Sequence, residues 1–516
     1  MIFKPRAVLA GVPVAVLLCY GYLRMARTQP INADGASNAI QAWDMLHGNP
    51  LLRGWTVTDV SFYTTELIQY AIVELVHGYR ADVIPVAAAI TYTLLVLLVA
   101  VVAKGTATGW VGLARVAIAV AVVLVPAPET GYVILLGSPD HTGTAVPLLL
   151  TWLVLDRWGS RRWAPYAVAL MLAWGLIGDP LVLFVGVAPL VAVSLLRLLR
   201  GRFLWRGLDG RLAAAGLSSV VLAQLFLLGV RRAGGFRTHP PILERSPLHA
   251  YGERAWIAVK GLAANFGGYL PDQHGPAGVA IGVLHLACAA LALYAFAVTL
   301  RRIGSADRLH AVWAIGIVVN LAAFVVSALP ADLMAARQLA VVLPYGAVLA
   351  ARVCADRLVS WRLVPALAGV LLVFAGTFVV QAGARPVPLA NEPLVAWLTA
   401  NDLRHGIGNY WTANNITLAS GGRVTVAPVT GGDHIRGYRW ESTVDWYDPA
   451  RDARFLLVDL EESSPEVTLA AAAAQFGPPV ERRDFGRVAV LRYDHNLLVG
   501  LTAYCVPGVA PSMADC

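Results

Sequence analysis

Apolar runs of about 17 to 25 residues recur along most of this chain, and a run of that length crosses a hydrocarbon core of roughly 30 Å as a helix. They fall at residues 7–23, 82–103, 110–125, 142–155, 165–177, 180–199, 212–230, 277–300, 311–328, 338–354 and 363–380, which reads as about 11 spans. Only 14% of the residues are charged and 58% are hydrophobic, whereas a soluble domain carries roughly 25% charged residues. A soluble multidomain protein is excluded. The first run follows Lys4 and Arg6 in the manner of a signal peptide, but no small-x-small cleavage site comes after it, so it reads as a retained first helix. The expected fold class is an α-helical polytopic membrane protein with a small C-terminal extracytoplasmic α/β domain.

Charge in the short connections sets the expected topology. Arg157, Arg161 and Arg162 share one side with Arg197, Arg200, Arg202, Arg206 and Arg211, then Arg301, Arg302 and Arg308, then Arg352, Arg357 and Arg362. The positive-inside rule makes that side cytoplasmic. The N-terminus is then cytoplasmic, and the protein is expected in the plasma membrane with residues 24–81, 231–276 and 381–516 outside. Two domains follow: a multi-span domain over 1–380 and an extracytoplasmic domain over 381–516. In the tail, ARPVPLANEP reads as a linker, 394–403 as a helix, and RVTVAPV, RFLLVDL and RVAVLRY as strands. Nearly all the basic residues behind the net charge of +8 are Arg, which suits anionic lipid and phosphate; no nucleic-acid motif is present. Cys19, Cys288 and Cys354 sit in or beside apolar runs as small hydrophobes. A bridge between Cys505 and Cys516 stays open, since oxidation is possible outside the cell.

Chemistry is expected in the outer segments. Directly after the first span, in INADGASNAIQAWDMLHGNP, Ala36, Ala39, Ile40, Trp43 and Leu46 recur at helical spacing while Asp34, Asn38 and Gln41 fall on another face. A carboxylate at the membrane edge can deprotonate a sugar hydroxyl where a membrane-anchored sugar phosphate arrives. Asp34 is the first candidate; helix capping by the same residue is the alternative.

The segment DGASNAIQAWDMLHG resembles the first outer loop of GT-C glycosyltransferases, in particular the protein O-mannosyltransferase and aminoarabinose transferase group. The pattern D-x4-A-x2-A-x-[DE]-M-L-x-G is met by Asp34, Ala39, Ala42, Asp44, Met45, Leu46 and Gly48. The resemblance implies that Asp34 is the catalytic carboxylate and that the fold is GT-C-like; Asp44 reads as structural. Where the group carries Lys-Pro-Pro-Leu, this chain has Thr64, Thr65 and Glu66, and Glu66 is a further site carboxylate or a helix-start charge. Asp140, in GSPDHTG, matches by position an acidic residue that the family places in its second outer loop. Arg337, in DLMAARQLAVVLPYG, matches the Arg of an Arg-Tyr-Leu run and is implied to contact the donor phosphate, with Gln338 in place of the aromatic residue.

Other residues are read from their chemistry. Asp140 and His141 are ligand types for a divalent metal, the one cofactor these residues suggest, though two neighbours are not a metal site. Asp179 in IGDPL is an ionisable residue near membrane depth or a turn residue before Pro180. Arg231, Arg232, Arg237, Arg245, Arg254 and Lys260 crowd the second large outer segment, where a polyprenyl phosphate or anionic headgroups would explain them. In the tail, Tyr410, Trp411, Trp440 and Trp446 are candidate acceptor-binding rings, with aromatic core packing the alternative. The reading is inverting transfer of a sugar from a polyprenyl-phosphate carrier to an outer-face acceptor (glycan, lipid or protein), with Asp34 as base. Rival readings are a membrane transporter or lipid flippase, which calls for charges deep within several helices, and a non-catalytic scaffold.

Overall fold

The structure is a computed structural model that describes residues 5–201, 207–239, 244–358, 364–388, 391–461 and 467–504. Cys505 and Cys516 lie outside the described residues. The chain divides into two compact units: Met1–Gln29, Ala88–Phe226 and Ile242–Pro386 form one, and Pro30–Ala87, Leu227–Pro241 and Val387–Cys516 form the other. The first is helical. The second combines helices with sheet.

Helices occupy every apolar run read from the sequence, while length and composition do not by themselves confirm the expected count of about 11 spans. Among the described residues six helices are long and apolar enough to cross a membrane, or up to seven if a pair bent by 52° at Leu333–Leu339 and Val342–Arg357 counts as one span. Gly109–Val123 and Ala164–Gly178 are shorter apolar helices, and the first helix, Pro5–Ala26, has 22 residues. At 1.5 Å per residue, 15 residues reach about 22 Å, short of the roughly 30 Å hydrocarbon core. Asp140–Trp158 has 19 residues, but Asp140, Asp156 and Arg157 dilute its apolar character.

Within the first unit, two groups of buried polar side chains are held by specific partners, as a water-free interior favours. The Trp152 indole N–H donates to the Tyr345 hydroxyl at 2.9 Å, and that hydroxyl donates to the Val185 carbonyl at 2.8 Å. Val185 lies in a single π-helical turn, Leu183–Val187, where the wider winding breaks the regular ladder and an outside donor meets a carbonyl. Gly316 allows the approach: a Cβ there would stand 3.0 Å from the Tyr345 ring and 3.2 Å from the Val185 carbonyl oxygen. Arg352, 9% exposed, grips both carboxylate oxygens of Asp156 at 3.0 and 2.8 Å and also donates through Nε to the Val102 carbonyl at 2.9 Å. Such a bidentate pair fixes geometry as well as charge.

Among the described residues of the second unit, ten strands form two sheets: Trp55–Val57 (β1), Arg237–Thr238 (β2), His405–Gly408 (β3), Thr425–Thr430 (β4), Arg436–Tyr438 (β5), Ser442–Thr443 (β6), Phe455–Asp459 (β7), Glu481–Phe485 (β8), Val488–Arg492 (β9) and Ala503–Tyr504 (β10). The larger sheet has the order β10-β5-β4-β3-β7-β9-β8, with β3 parallel to both β4 and β7 and antiparallel pairing at β7-β9 and β9-β8. The three strands and the helix read in the tail are β4, β7, β9 and Glu392–Ala400. Leu394, Leu398, Ile416, Val426, Phe455 and Val490 share its core. Gly406 in β3 faces the Phe455 ring at a distance, 2.3 Å for an added Cβ, that only glycine tolerates.

The smaller sheet, β2-β1-β6, draws together three stretches remote in sequence. Arg439, which burial holds below the usual guanidinium range, fastens it by donating to the Gly54 carbonyl at 2.9 Å and the Thr56 hydroxyl at 3.1 Å. Asp44 accepts from the Asn49 amide and the Trp55 indole, both at 2.7 Å, so its role is structural. Glu74, on the buried side of the Glu66–His77 helix, is only 1% exposed. Burial pushes its carboxyl up to about 9.

Two predictions test these contacts. Asp156→Asn leaves the Arg352 charge buried without its counter-charge and should destabilise the first unit by about 3 kcal/mol, seen as a lower melting temperature in detergent. Glu74 is protonated when folded and ionised when unfolded between about 4.5 and 9, so the stability its neutral acid contributes is complete below 4.5 and lost as pH rises through 9. Glu74→Gln should therefore melt with the wild type near pH 4.5 and increasingly above it as pH approaches 9.

Candidate functional site

The strongest cluster lies in the second unit. Asn32 caps the Ala33–Leu46 helix, its side chain accepting from the Gly35 amide at 2.6 Å. The capping alternative for Asp34 is thereby removed: Asp34 sits inside the first turn, part-exposed, with its side chain committed elsewhere. The Tyr410 hydroxyl donates to Asp34 Oδ1 at 2.7 Å and also contacts Glu441 Oε2. One phenol proton faces two carboxyls. Burial, followed by the charges of Asp34 and Glu441, holds the Tyr410 phenol well above its usual range, so it remains a donor across any physiological pH.

Local structure fixes each member. Tyr410 begins the Tyr410–Ala419 helix, capped by Asn409 accepting from the Thr412 amide at 3.0 Å. Glu441, 2% exposed, precedes β6 with φ at +45°, a left-handed conformation that is uncommon for a non-glycine residue and concentrates at functional positions. Glu441 escaped the sequence reading, although GYRWESTVDWYDP was noted for its aromatic and acidic residues. A left-handed backbone leaves no mark in a single sequence. Glu66 is buried at the start of its helix, with the Thr65 hydroxyl donating to it.

A second cluster lies in the first unit. Asp140 opens the Asp140–Trp158 helix with φ at +34°, accepts from the Ser138 hydroxyl at 2.5 Å, and stands 3.9 Å from Arg337 Nη1. Arg337 lies in the 3-10 turn Leu333–Leu339 with 43% of its side chain exposed. At 3.9 Å the two charges attract without a fixed hydrogen bond. Asp179 joins the turn and ionic readings: Oδ1 accepts from the Leu181 amide at 2.8 Å, while Oδ2 meets His141 Nδ1 at 2.8 Å and the Thr144 hydroxyl. Among the described residues no group of three or more His, Cys, Asp or Glu side chains is arranged to hold a metal ion. Asp140 and His141 thus do not fit a divalent metal between them.

The remaining candidates separate. Arg232 and Arg237 belong to the second unit and Arg245 to the first; all three are exposed. Tyr410 is 3% exposed and serves the carboxyls rather than offering an open ring, and Trp446, 8% exposed, packs edge-on against Trp55 at 5.5 Å between centroids. Trp411 is 47% exposed and lies edge-on to Tyr410 at 5.1 Å. Trp440 is half-buried, parallel to Tyr438 at 6.1 Å and tilted over His239 at 4.7 Å. The His239 ring donates from Nε2 to the Arg439 carbonyl at 2.6 Å, and burial lowers its affinity for a second proton.

Comparison with solved structures finds folds similar to this one. The fold is similar to ArnT from Cupriavidus metallidurans in the apo state, at 14% identity and a TM-score of 0.46 over 95% of this chain and 98% of that one. The same protein bound to undecaprenyl phosphate gives 14% identity, a TM-score of 0.45 and the same coverage. The Archaeoglobus fulgidus oligosaccharyltransferase, in complex with Zn and sulfate, is similar at 13% identity and a TM-score of 0.49 over 87% of this chain and 68% of that one. No protein-family model matches the sequence, and no curated protein sequence matches it. None of these likenesses assigns a role to a residue.

Removing the phenol tests the cluster directly. Tyr410→Phe leaves Asp34 and Glu441 without their common donor and should cost about 1–3 kcal/mol of stability, read as a lower melting temperature. Glu441→Gln keeps a hydrogen-bonding group against Tyr410 and should cost less. Coincident melts for Tyr410→Phe and wild type would show that the phenol holds nothing together.

Proposed function

We propose that the protein is a glycosyltransferase that moves a sugar from a polyprenyl-phosphate carrier to an acceptor of the cell envelope, on the outer face of the membrane and with inversion. The observation that carries the reading is the Asp34 carboxyl: part-exposed, inside a helix turn that another residue caps, and held by the Tyr410 hydroxyl. A base must be able to reach the proton it takes. Asp34 accepts the proton of an acceptor hydroxyl as its oxygen attacks the anomeric carbon, and the bond from that carbon to the carrier phosphate breaks with its electrons passing to the phosphate oxygen.

Tyr410 and Glu441 orient the base. Glu441 is too buried to meet substrate and acts through the phenol. Arg337, with Arg232, Arg237 and Arg245, would pair with the carrier phosphate and the charge that grows on it as it leaves. Part-exposed Arg337 near Asp140 supports that role, because a contact at 3.9 Å can yield to a phosphate. Trp411 and Trp440 offer ring surface to an acceptor, and Glu66 and Asp140 remain proposed as supporting carboxyls. No step is routed through a metal ion.

The test compares wild type with Asp34→Asn in detergent, with membrane lipid extract as acceptor and a panel of polyprenyl-phosphate sugars as donors, following sugar transfer and carrier release. Loss of a general base should lower turnover by about 10²–10⁴-fold in a variant that melts like the wild type. Undiminished turnover in the variant would remove Asp34 from the chemistry.

A further inference from the structure

Lys104, Arg115, Arg157 and Arg352 gather round one tight turn of the first unit, which follows the span Val83–Lys104 and leads into the helix Gly109–Val123. Gly105 takes a left-handed conformation in that turn, at φ +55°. A Cβ on it would stand 2.8 Å from Arg352 Nη2 and 3.3 Å from Asp156 Oδ2, so the backbone closes directly over a buried guanidinium. The Gly105 carbonyl accepts from Arg157 Nη2 at 3.1 Å. Lys104 bends back across the turn, with Cε 3.7 Å from where a Cβ on Gly112 would be. Arg115 follows Gly112 at i+3, on the same face of its helix, and it and Arg352 both act electrostatically on His310.

The charges round this turn do not balance. Asp156 gives both carboxylate oxygens to Arg352, and Asp307, the other acid near His310, caps the helix Arg308–Val326 by accepting from the Leu309 amide at 2.9 Å. Lys104, Arg115 and Arg157 form no ion pair among the described residues. Lys104 is exposed and the two arginines are half-buried, so all three present surface to a ligand. Like charges gathered at the ends of apolar helices repel, and an anion among them relieves that repulsion. The level of the turn is marked by aromatic rings: Trp110, 74% exposed, opens the helix after it, and Trp163 and Tyr166, at 48% and 73%, stand at the start of Ala164–Gly178. Exposed rings of this kind at helix ends lie among lipid headgroups.

We propose that Lys104, Arg115 and Arg157 bind the phosphate of an anionic glycerophospholipid, with the Arg352–Asp156 pair fixing the turn that presents them. Guanidinium groups take a phosphodiester through paired N–H donors, and the lysine adds a compact charge. A lipid fits better than a soluble phosphate because the turn ends a membrane span and its aromatic neighbours lie at headgroup level; basic pockets between membrane helices suit such headgroups. The net charge of the headgroup matters. A zwitterionic lipid would bring its own ammonium in among the three cations, whereas phosphatidylglycerol brings only the phosphate charge.

Native mass spectrometry of the intact chain in detergent tests the assignment, with dioleoyl phosphatidylglycerol, phosphatidylethanolamine and phosphatidylcholine added singly. Phosphatidylglycerol should be retained roughly tenfold better than either zwitterionic lipid, and Arg115→Gln and Arg157→Gln should each bring it down to their level. Lys104 is exposed, so Lys104→Gln, with retention lowered about threefold, reports on binding even where an arginine substitution disturbs folding. Replacing Arg161 and Arg162 together by Gln removes two exposed charges from the turn after Asp140–Trp158 and should leave retention unaltered. Soluble glycerophosphoglycerol in equal amount should leave the bound lipid in place. Equal retention of the three lipids, or a loss in the Arg161 and Arg162 variant as large as in the others, would reduce the cluster to general attraction for anionic surfaces and overturn the proposal. Full displacement by the soluble headgroup would overturn it in favour of a soluble phosphate.

Discussion

A single hydroxyl, that of Tyr410, joins two carboxyl side chains that lie far apart in sequence, Asp34 and Glu441. The second unit is organised around that contact. Asp34 belongs to the helix that follows the first apolar run, Tyr410 opens a helix of the tail, and Glu441 sits in the turn before β6. The small sheet β2-β1-β6 repeats the same connection in backbone hydrogen bonds, and Arg439 repeats it through Gly54 and Thr56. A phenol placed between two acids in a buried position is an expensive arrangement to assemble. It persists because strands and helices on every side determine where each group stands.

Backbone strain marks the acids more clearly than their surroundings do. Glu441 and Asp140 both occupy left-handed conformations, at φ +45° and +34°. Such a conformation costs of order 1–3 kcal/mol and survives only where neighbouring contacts over-determine it. For Glu441 those contacts are Tyr410 and the pairing of β6; for Asp140 they are Ser138 and the entry into a buried helix. Asp34, by contrast, rests in an ordinary helical turn whose cap is already supplied by Asn32. Its side chain does not cap that turn and instead accepts from Tyr410.

The fold was largely legible because apolar run length is a strong signal: each run became a helix, and the tail strands emerged where β-branched residues cluster. The span count is not confirmed, since runs such as 165–177 are helical but short of a full crossing by length, and a bent pair counts once or twice. For the site, helical spacing isolated Asp34, Asn38 and Gln41 from the apolar face, and the GT-C resemblance singled out Asp34. Spacing could not distinguish a cap from a base, because Asn32 and Asp34 are both good caps two residues apart. Glu441 and the orientation of Tyr410 stayed hidden, being set by pairing across some 400 residues of chain. The aromatic tail residues divided along lines only packing decides: Trp446 into the core, Trp411 to the surface.

Burial also divides the labour between the two acids on Tyr410. A proton acceptor in catalysis must come within hydrogen-bond distance of a substrate hydroxyl, and Glu441, at 2% exposure, has no room for one. Asp34 is open to solvent on one side while Tyr410 occupies Oδ1. The contact at Oδ1 ties the Asp34 carboxyl to the tail helix that Tyr410 opens. Glu441 shares the single phenol proton with Asp34, so the two acids together hold the Tyr410 hydroxyl between them. If the buried acid were the base, substrate would have to displace Tyr410 and open the turn before β6; with Asp34 as the base, the scaffold stays intact through the reaction.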